Sequence, residues 1–196
     1  MDNNTNNMLF LDVETNGIGP FRPAQQRVVQ IAWILNDVKK SYFISGVSAV
    51  SEKVPHKYNV AFLQENGSEF KLAIEDFFID LKKASHVVAH NADFDIGCIL
   101  NELRSRQLYH EFEEEFTRKK IVELKYKKVI DTMKMSVNIC KIPGKFSDYK
   151  WPSLDELYIF CFSEKPTLPL HDALNDCLVT KMCLNMLLEN NMLKLN

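Results

Sequence analysis

Apolar side chains follow two rhythms along this chain. Met8, Leu9, Phe10 and Leu11 form a continuous apolar run closed by Asn16-Gly17, and residues 28–35 form a second run interrupted only by Gln30. Short runs of this kind, bounded by turn residues, read as buried strands. A third strand is predicted over 41–47, joined to the second by the short polar stretch 36–40, so that the three make an antiparallel meander. Residues 48–69 hold Pro55, Gly67 and scattered polar positions and read as irregular. The rhythm then changes. Phe70, Ile74, Phe77, Phe78 and Leu81 fall on one helical stripe, residues 86–90 form a fourth short strand, and Ile96, Ile99, Leu100 and Leu103 define a second stripe. Helices alternating with strands move the class from all-β to α/β. A fifth strand is predicted over 128–133. Ser153-Leu154-Asp155-Glu156 has the form of a capping box, opening a helix that buries Leu154, Leu157, Tyr158 and Cys161. Pro166 and Pro169 interrupt the chain before a last helix from about 172 to 189.

Composition narrows this picture. A chain of 196 residues suits one domain, expected over 8–196, with the polar, Asn-rich residues 1–7 as a disordered tail. Fractions of 46% hydrophobic and 26% charged are those of a soluble globular protein. No apolar run approaches the ~18 residues of a membrane span and the N-terminus lacks signal-peptide features, so no membrane association and a cytoplasmic or nuclear location are expected. Five cysteines, an odd number without a C-x-x-C spacing, read as reduced core residues. The net charge of −2 argues against coating nucleic acid through a broad basic face, but not against gripping a few nucleotides locally. Within 109–127 an acidic block precedes a basic one, which is either a solvated face or a contact for substrate phosphates.

Three clusters can carry chemistry. Asp12 and Glu14 are two residues apart on a strand, so they share a face while Val13 points away. Paired acids in a core repel unless a cation lies between them, and a hard divalent ion is the natural occupant. The alternative is that Asp12 begins a turn and Glu14 faces water. The second cluster, His90-Asn91-Ala92-Asp93-Phe94-Asp95, follows a strand and enters a helix, where ligands bind in α/β sheets. Asp93 and Asp95 are either ligands or helix caps, and Phe94 is either a stacking platform or a core residue. In the third, His171 to Asp176, the acids Asp172 and Asp176 share a helical face, while His171 is either free to swing toward Asp176 or an exposed loop residue.

Taken in order, Asp12-Val13-Glu14-Thr15, His90-Asn91-Ala92-Asp93-Phe94-Asp95 and His171-Asp172-Ala173-Leu174-Asn175-Asp176 resemble the three motifs of the DEDD-superfamily 3′→5′ exonucleases, in their histidine branch. That branch includes the proofreading exonucleases of DNA polymerases and free-standing relatives. Val29 to Trp33, Asp131-Thr132-Met133 and Trp151 to Leu157 are also similar, and the likeness runs from residue 8 to about 188. It implies a ribonuclease-H-like α/β domain: a five-stranded mixed sheet flanked by helices, strands one to three antiparallel and the others parallel to the first.

The resemblance also implies roles. Asp12, Glu14, Asp95 and Asp176 become catalytic acids holding two divalent metal ions, Mg²⁺ or Mn²⁺, and His171 the general base. Asp12 would bridge the ions, Glu14 and Asp176 would serve the ion of the attacking water, and Asp95 the other. Substrate binding falls to the backbone around Val13 and Thr15 and to Asn91, with His90 and Asn91 supporting the second motif. Asp93 and Asp172 occupy variable positions, and His56, His86 and His110 match nothing functional. The implied activity is hydrolysis of phosphodiester bonds from the 3′ end of mostly single-stranded DNA, releasing nucleoside 5′-monophosphates by a two-metal-ion mechanism. The expected partner is a nucleic acid with a free 3′ end, DNA ahead of RNA, and a DNA polymerase is a partner the family allows. An exoribonuclease of the same family and a non-catalytic accessory module are the alternatives. An inactive relative is expected to lack an acid, and none is missing.

Overall fold

A computed structural model of the chain describes residues 5–17, 26–106, 108, 128–145 and 148–195. The charged segment 109–127, with His110, lies outside them, as do residues 1–4. The apolar run that begins at Met8 forms the central strand, β1 (Met8–Thr15). It pairs antiparallel with β2 (Val28–Leu35), which pairs in turn with β3 (Val38–Phe43). On its other side it pairs in parallel with β4 (His86–Ala89), and β4 with β5 (Lys128–Asp131). The order β3-β2-β1-β4-β5, with its directions, is the mixed sheet expected. Helices α1 (Val60–Asn66), α2 (Phe70–Lys83), α3 (Ala92–Ser105), α4 (Thr132–Cys140), α5 (Leu154–Phe162) and α6 (Ala173–Glu189) complete the described elements. None is long and apolar enough to cross a membrane.

Alternation along β1 divides the core. Leu9, Leu11 and Val13 pack on one face with Trp33, Phe77, Ile99 and Leu103, under α2 and α3. Met8 and Phe10 pack on the other with Ala32, Ile34, Ala173, Cys177 and Leu184, under α6. Asp12 and Glu14 continue the second set, so the pleat that buries Phe10 turns both acids toward α6. β4 pairs with β1 only from Met8 to Phe10. Beyond Phe10 that side of β1 has no partner strand among the described residues, and a cleft opens at the carboxyl ends of β1 and β4.

Four local features depart from the expectations. The connection between β2 and β3 is two residues, Asn36 and Asp37, both left-handed (φ 48° and 66°). That is the tight turn whose twist suits a hairpin, and it brings the exposed Val38 and the charged Lys39 and Lys40 into an edge strand. α1 lies inside the stretch expected to be irregular; it is seven residues long with only Leu63 buried, too little for a stripe, and is capped by the Asn59 side chain accepting from Phe62 N–H. The fifth strand stops at Asp131, whose carboxylate accepts the N–H groups of Met133 and Lys134 and starts α4. Thr5 to Asn7, placed in the tail, are fastened: the Thr5 hydroxyl bonds Asn185 at 3.0 Å, and Asn7 donates from its backbone to Asn36 at 2.8 Å. All five cysteines are free, and Cys140 alone is not buried.

The second motif is locked to the sheet by a buried acid. Glu102, with no exposed side-chain surface, lies near the end of α3. It accepts both arms of the Arg27 guanidinium at 2.9 and 2.8 Å, the Arg106 side chain and the Val28 N–H. Removing one partner of a buried ion pair leaves the other charges uncompensated. Glu102→Gln is expected to destabilise the fold by ~2–3 kcal/mol in urea unfolding, less than a fully buried pair because both guanidiniums keep some water. A loss under ~0.5 kcal/mol, the range of a neutral surface substitution, contradicts this role.

Candidate active site

The third motif is placed by a network that starts on β2. Gln30, paired with Glu14 in the β1–β2 register, donates from Nε2 to Asp172 at 3.2 Å and accepts the Ala173 N–H at 3.0 Å. Asp172 is the N-cap of α6, accepting the N–H groups of Leu174 and Asn175 at 3.1 and 3.0 Å. It also accepts the Tyr58 hydroxyl at 2.7 Å. These bonds outweigh burial and hold Asp172 below the usual carboxylate range. One turn further on, the Cys177 thiol donates to the carbonyls of Phe10 and Ala32, seating α6 on the sheet. Asp176 therefore comes to rest beside the acids of β1. His171 precedes the helix in a left-handed conformation (φ 67°), and its N–H donates to both oxygens of Asp176 at 3.2 and 3.3 Å. Glu14, His171 and Asp176 each offer a ligand atom within 4.8 Å of the others.

Asp95 enters from the opposite face, on the first turn of α3. Its Oδ1 accepts the Val13 N–H at 3.2 Å, using the side of β1 that β4 leaves open, and its Oδ2 is buried with no hydrogen-bond partner among the described residues. Burial raises the Asp12 carboxyl well above its ordinary range, and Asp95, Asp176 and Glu14 add repulsion. Asp95 is likewise raised, by burial first and then, against the Val13 bond, by Asp131, Glu14 and Asp176. Glu14 is pushed up to about 8 by burial, then by Asp176 and Asp172. Asp176 is pushed up to about 7 by burial and Asp172, against the His171 N–H. An orphaned carboxylate oxygen within a set of raised carboxyls and one imidazole is the donor chemistry that suits a hard divalent cation. The Val13 amide, expected to face substrate, is engaged by Asp95.

The second motif turns on Asn91, left-handed at φ 85°, a conformation that asparagine tolerates. Its N–H donates to Asp131 at 3.2 Å. His90 bonds Thr132 Oγ1 through Nδ1 at 3.0 Å, and its Nε2–H donates to the Pro152 carbonyl at 3.0 Å, tying β4 to the segment before α5. Asp93 is exposed and pairs with Lys134 at 2.5 Å. Phe94 is half-buried: it packs against the core and also lines a cavity of about 480 Å³ shared with Glu14, Thr15, Asn91, His56 and His171.

The sequence pattern gave no role to Gln30, His56, Tyr58 or Asp131. Gln30 and Asp131 left a signal, each inside a stretch similar to the family, and Gln30 also as the one polar residue of an apolar strand. His56, set aside as matching nothing, is buried: its Nε2–H donates to the Thr15 carbonyl at 2.8 Å, and its Nδ1 accepts the Tyr58 N–H at 3.3 Å. Its ring stacks on Tyr58 with centroids 5.1 Å apart. The segment His56–Tyr58 thus ties the first motif to the third. No side-chain pattern announces it.

A mixed sheet of this order, with acids gathered where β1 and β4 end, defines a ribonuclease-H-like nuclease domain. The chain belongs to the exonuclease family of RNase T type, within the DEDD superfamily, whose family model matches residues 9–183. It resembles the crystal structure of cell-death related nuclease 4 (CRN-4) with a TM-score of 0.62 at 16% identity, covering 93% of this chain and 64% of that one. It resembles the family B DNA polymerase of the hyperthermophilic archaeon Pyrobaculum calidifontis with a TM-score of 0.52 at 13% identity, covering 93% of this chain and 24% of the polymerase. The chain thus spans less than two thirds of either, and at these identities the likeness is one of fold. No curated protein sequence matches it.

Raised carboxyls bind protons more tightly folded than unfolded, so their contribution to stability is present at low pH and is lost as pH rises through the folded values. In chelating buffer the melting temperature is expected to fall between about pH 4.5 and about pH 8, the span between the ordinary and the folded value of Glu14. The fall should be on the order of 5–10 °C, and smaller in Asp12→Asn, which removes one of the repelling charges. A melting temperature that stays level or climbs across that window would contradict the crowding.

Proposed function

We propose that this exonuclease domain degrades single-stranded DNA from its 3′ end, releasing nucleoside 5′-monophosphates with the help of two divalent ions, Mg²⁺ or Mn²⁺. Asp12, Glu14, Asp95 and Asp176 would hold the ions. When bound, such ions supply the positive charge that lets a water-derived nucleophile approach a phosphodiester and that stabilises the leaving oxygen. The carboxylates neutralise that charge and fix its position. His171 lies exposed at the rim, its backbone tethered to Asp176 and its ring beside Glu14, and would take the proton from the attacking water, since an imidazole exchanges protons near neutral pH. The terminal nucleotide would occupy the cavity between Thr15, Asn91, His56 and Phe94. One observation carries the reading: Glu14 from β1, Asp176 from α6 and His171 from the loop between α5 and α6 converge within 4.8 Å at the mouth of that cavity, beside the unsatisfied Asp95.

The test is incubation with 5′-labelled single-stranded DNA and RNA, with Mg²⁺, with Mn²⁺ and with a chelator. A metal-dependent ladder shortening from the 3′ end, faster on DNA, is expected, and Asp12→Asn should slow it by at least ~10³-fold. If neither polymer is cut with either metal while Asp12→Asn binds strands as well as wild type, the domain is a binding module. A ladder on RNA alone would make it an exoribonuclease. Either metal should raise the melting temperature of wild type and much less that of Asp12→Asn, because ligand binding to the folded state alone is stabilising.

His171→Ala separates base from ligand. It is expected to keep the metal-induced rise in melting temperature and to lose ~10²–10⁴-fold in turnover. Unchanged turnover removes His171 as the base; loss of the thermal shift makes it a metal ligand instead.

A further inference from the structure

The connection between α4 and α5 folds as a narrow two-limbed loop. Lys150 N–H donates to the Ile142 carbonyl at 3.0 Å and Gly144 N–H to that of Asp148 at 2.8 Å, with Pro143 and Tyr149 bridged between them. The second limb ends in Tyr149, Lys150 and Trp151, all exposed, and Trp151 at 59% is the most exposed large apolar side chain among the described residues. The same loop carries Lys141 and Lys145, which are exposed and make no ion pair with a described residue, and Lys150, paired with Glu156. Residues 141–152 hold three lysines against one acid, Asp148, and with Lys150 paired to Glu156 the local positive charge beside the exposed indole rests on Lys141 and Lys145, in a chain of net charge −2.

Its base is fastened to the cleft. Pro152, next to Trp151, accepts the His90 ring at 3.0 Å, and His90 is next to Asn91, which lines the cavity. Trp151 and Asn91 are thus each one residue, about 3.8 Å of chain, from two residues in contact. A strand whose last nucleotide lies in the cavity has its preceding nucleotides within reach of the loop.

We infer that Trp151 is a stacking platform for a base upstream of the 3′ end, and that the lysines of its loop hold the neighbouring phosphates. The occupant is a single strand of nucleic acid. An indole face takes an unstacked base of any identity, which a duplex does not offer, and lysines complement phosphates without reading sequence. This rests on the exonuclease reading of the cleft and adds to it a preference for substrates long enough to reach the loop.

The test compares wild type, Trp151→Ala and Trp151→Phe on two probes: the p-nitrophenyl ester of thymidine 5′-monophosphate, which fills the cleft alone, and a single strand of about ten nucleotides, within the usual span of a binding groove. Trp151→Ala is expected to lower the ratio of kcat/KM for the strand over that for the ester about tenfold, mostly through KM, and Trp151→Phe to recover part of it. A ratio unchanged in Trp151→Ala would overturn the inference. Fluorescence gives a readout independent of turnover. The chain has two tryptophans, and Trp33 is fully buried with its Nε1 bonded to Asp80 at 3.0 Å. In chelator, a saturable quench on adding the strand, absent in Trp151→Phe and weaker with a blunt duplex, supports stacking. No quench, or an equal quench by the duplex, overturns it. If wild type cleaves neither probe, the exonuclease reading fails, while the quench still decides whether Trp151 takes a strand.

Discussion

Mutual repulsion among buried carboxylates is the constraint on which this structure turns. Asp12, Glu14, Asp95 and Asp176 are each raised by burial first and then by neighbouring carboxylates, Asp172 and Asp131 among them, so in the absence of a cation every one of them opposes the geometry it occupies. The surrounding packing has to supply what the site takes away. β1 and β2 are covered on both faces and hold Asp12 and Glu14 from below. The clasp between Gln30 and the start of α6 holds Asp176, and the Glu102 ion cluster anchors the helix that carries Asp95. Each anchor is a polar group satisfied inside the protein, on the element that carries a destabilised acid or on one adjoining it. Fully paired buried networks of this kind fix a unique geometry, which a site needing several acids at one point requires.

What could be read from the chain was whatever depends on neighbours in sequence. Strand alternation put Asp12 and Glu14 on one face, and helical spacing found the stripes of α2 and α3. The ordered acids and histidines pointed to the family. What could not be read depends on residues far apart. Tyr58 meets Asp172 across 114 positions and Gln30 meets Asp172 across 142. No local pattern distinguishes such a tyrosine from one facing water. Short elements failed for a related reason: α1 buries a single side chain, and α4 takes over from β5 at a cap, where helical and extended preferences compete. Lys39 and Lys40 read as a loop because an edge strand does not need an apolar outer face.

The cleft itself follows from a mismatch of strand lengths. β1 has eight residues and β4 four, and they pair over three. Had β4 continued, the Val13 N–H would be spent on a strand ladder and no side chain could enter from that side. Because β4 stops at Ala89, left-handed Asn91 reverses the chain and α3 starts beside the bare edge, where Asp95 supplies the acceptor that a strand would have supplied. One carboxylate oxygen thus completes the sheet while the other stays unsatisfied within the acid cluster. A register shift between Glu14 and Thr15 then ends the regular pairing of β1 with β2 as the strand reaches the cavity. The open edge that a sheet normally has to protect is here the feature that admits chemistry: backbone pairing is exchanged for a side chain that both closes the ladder and reaches into the site.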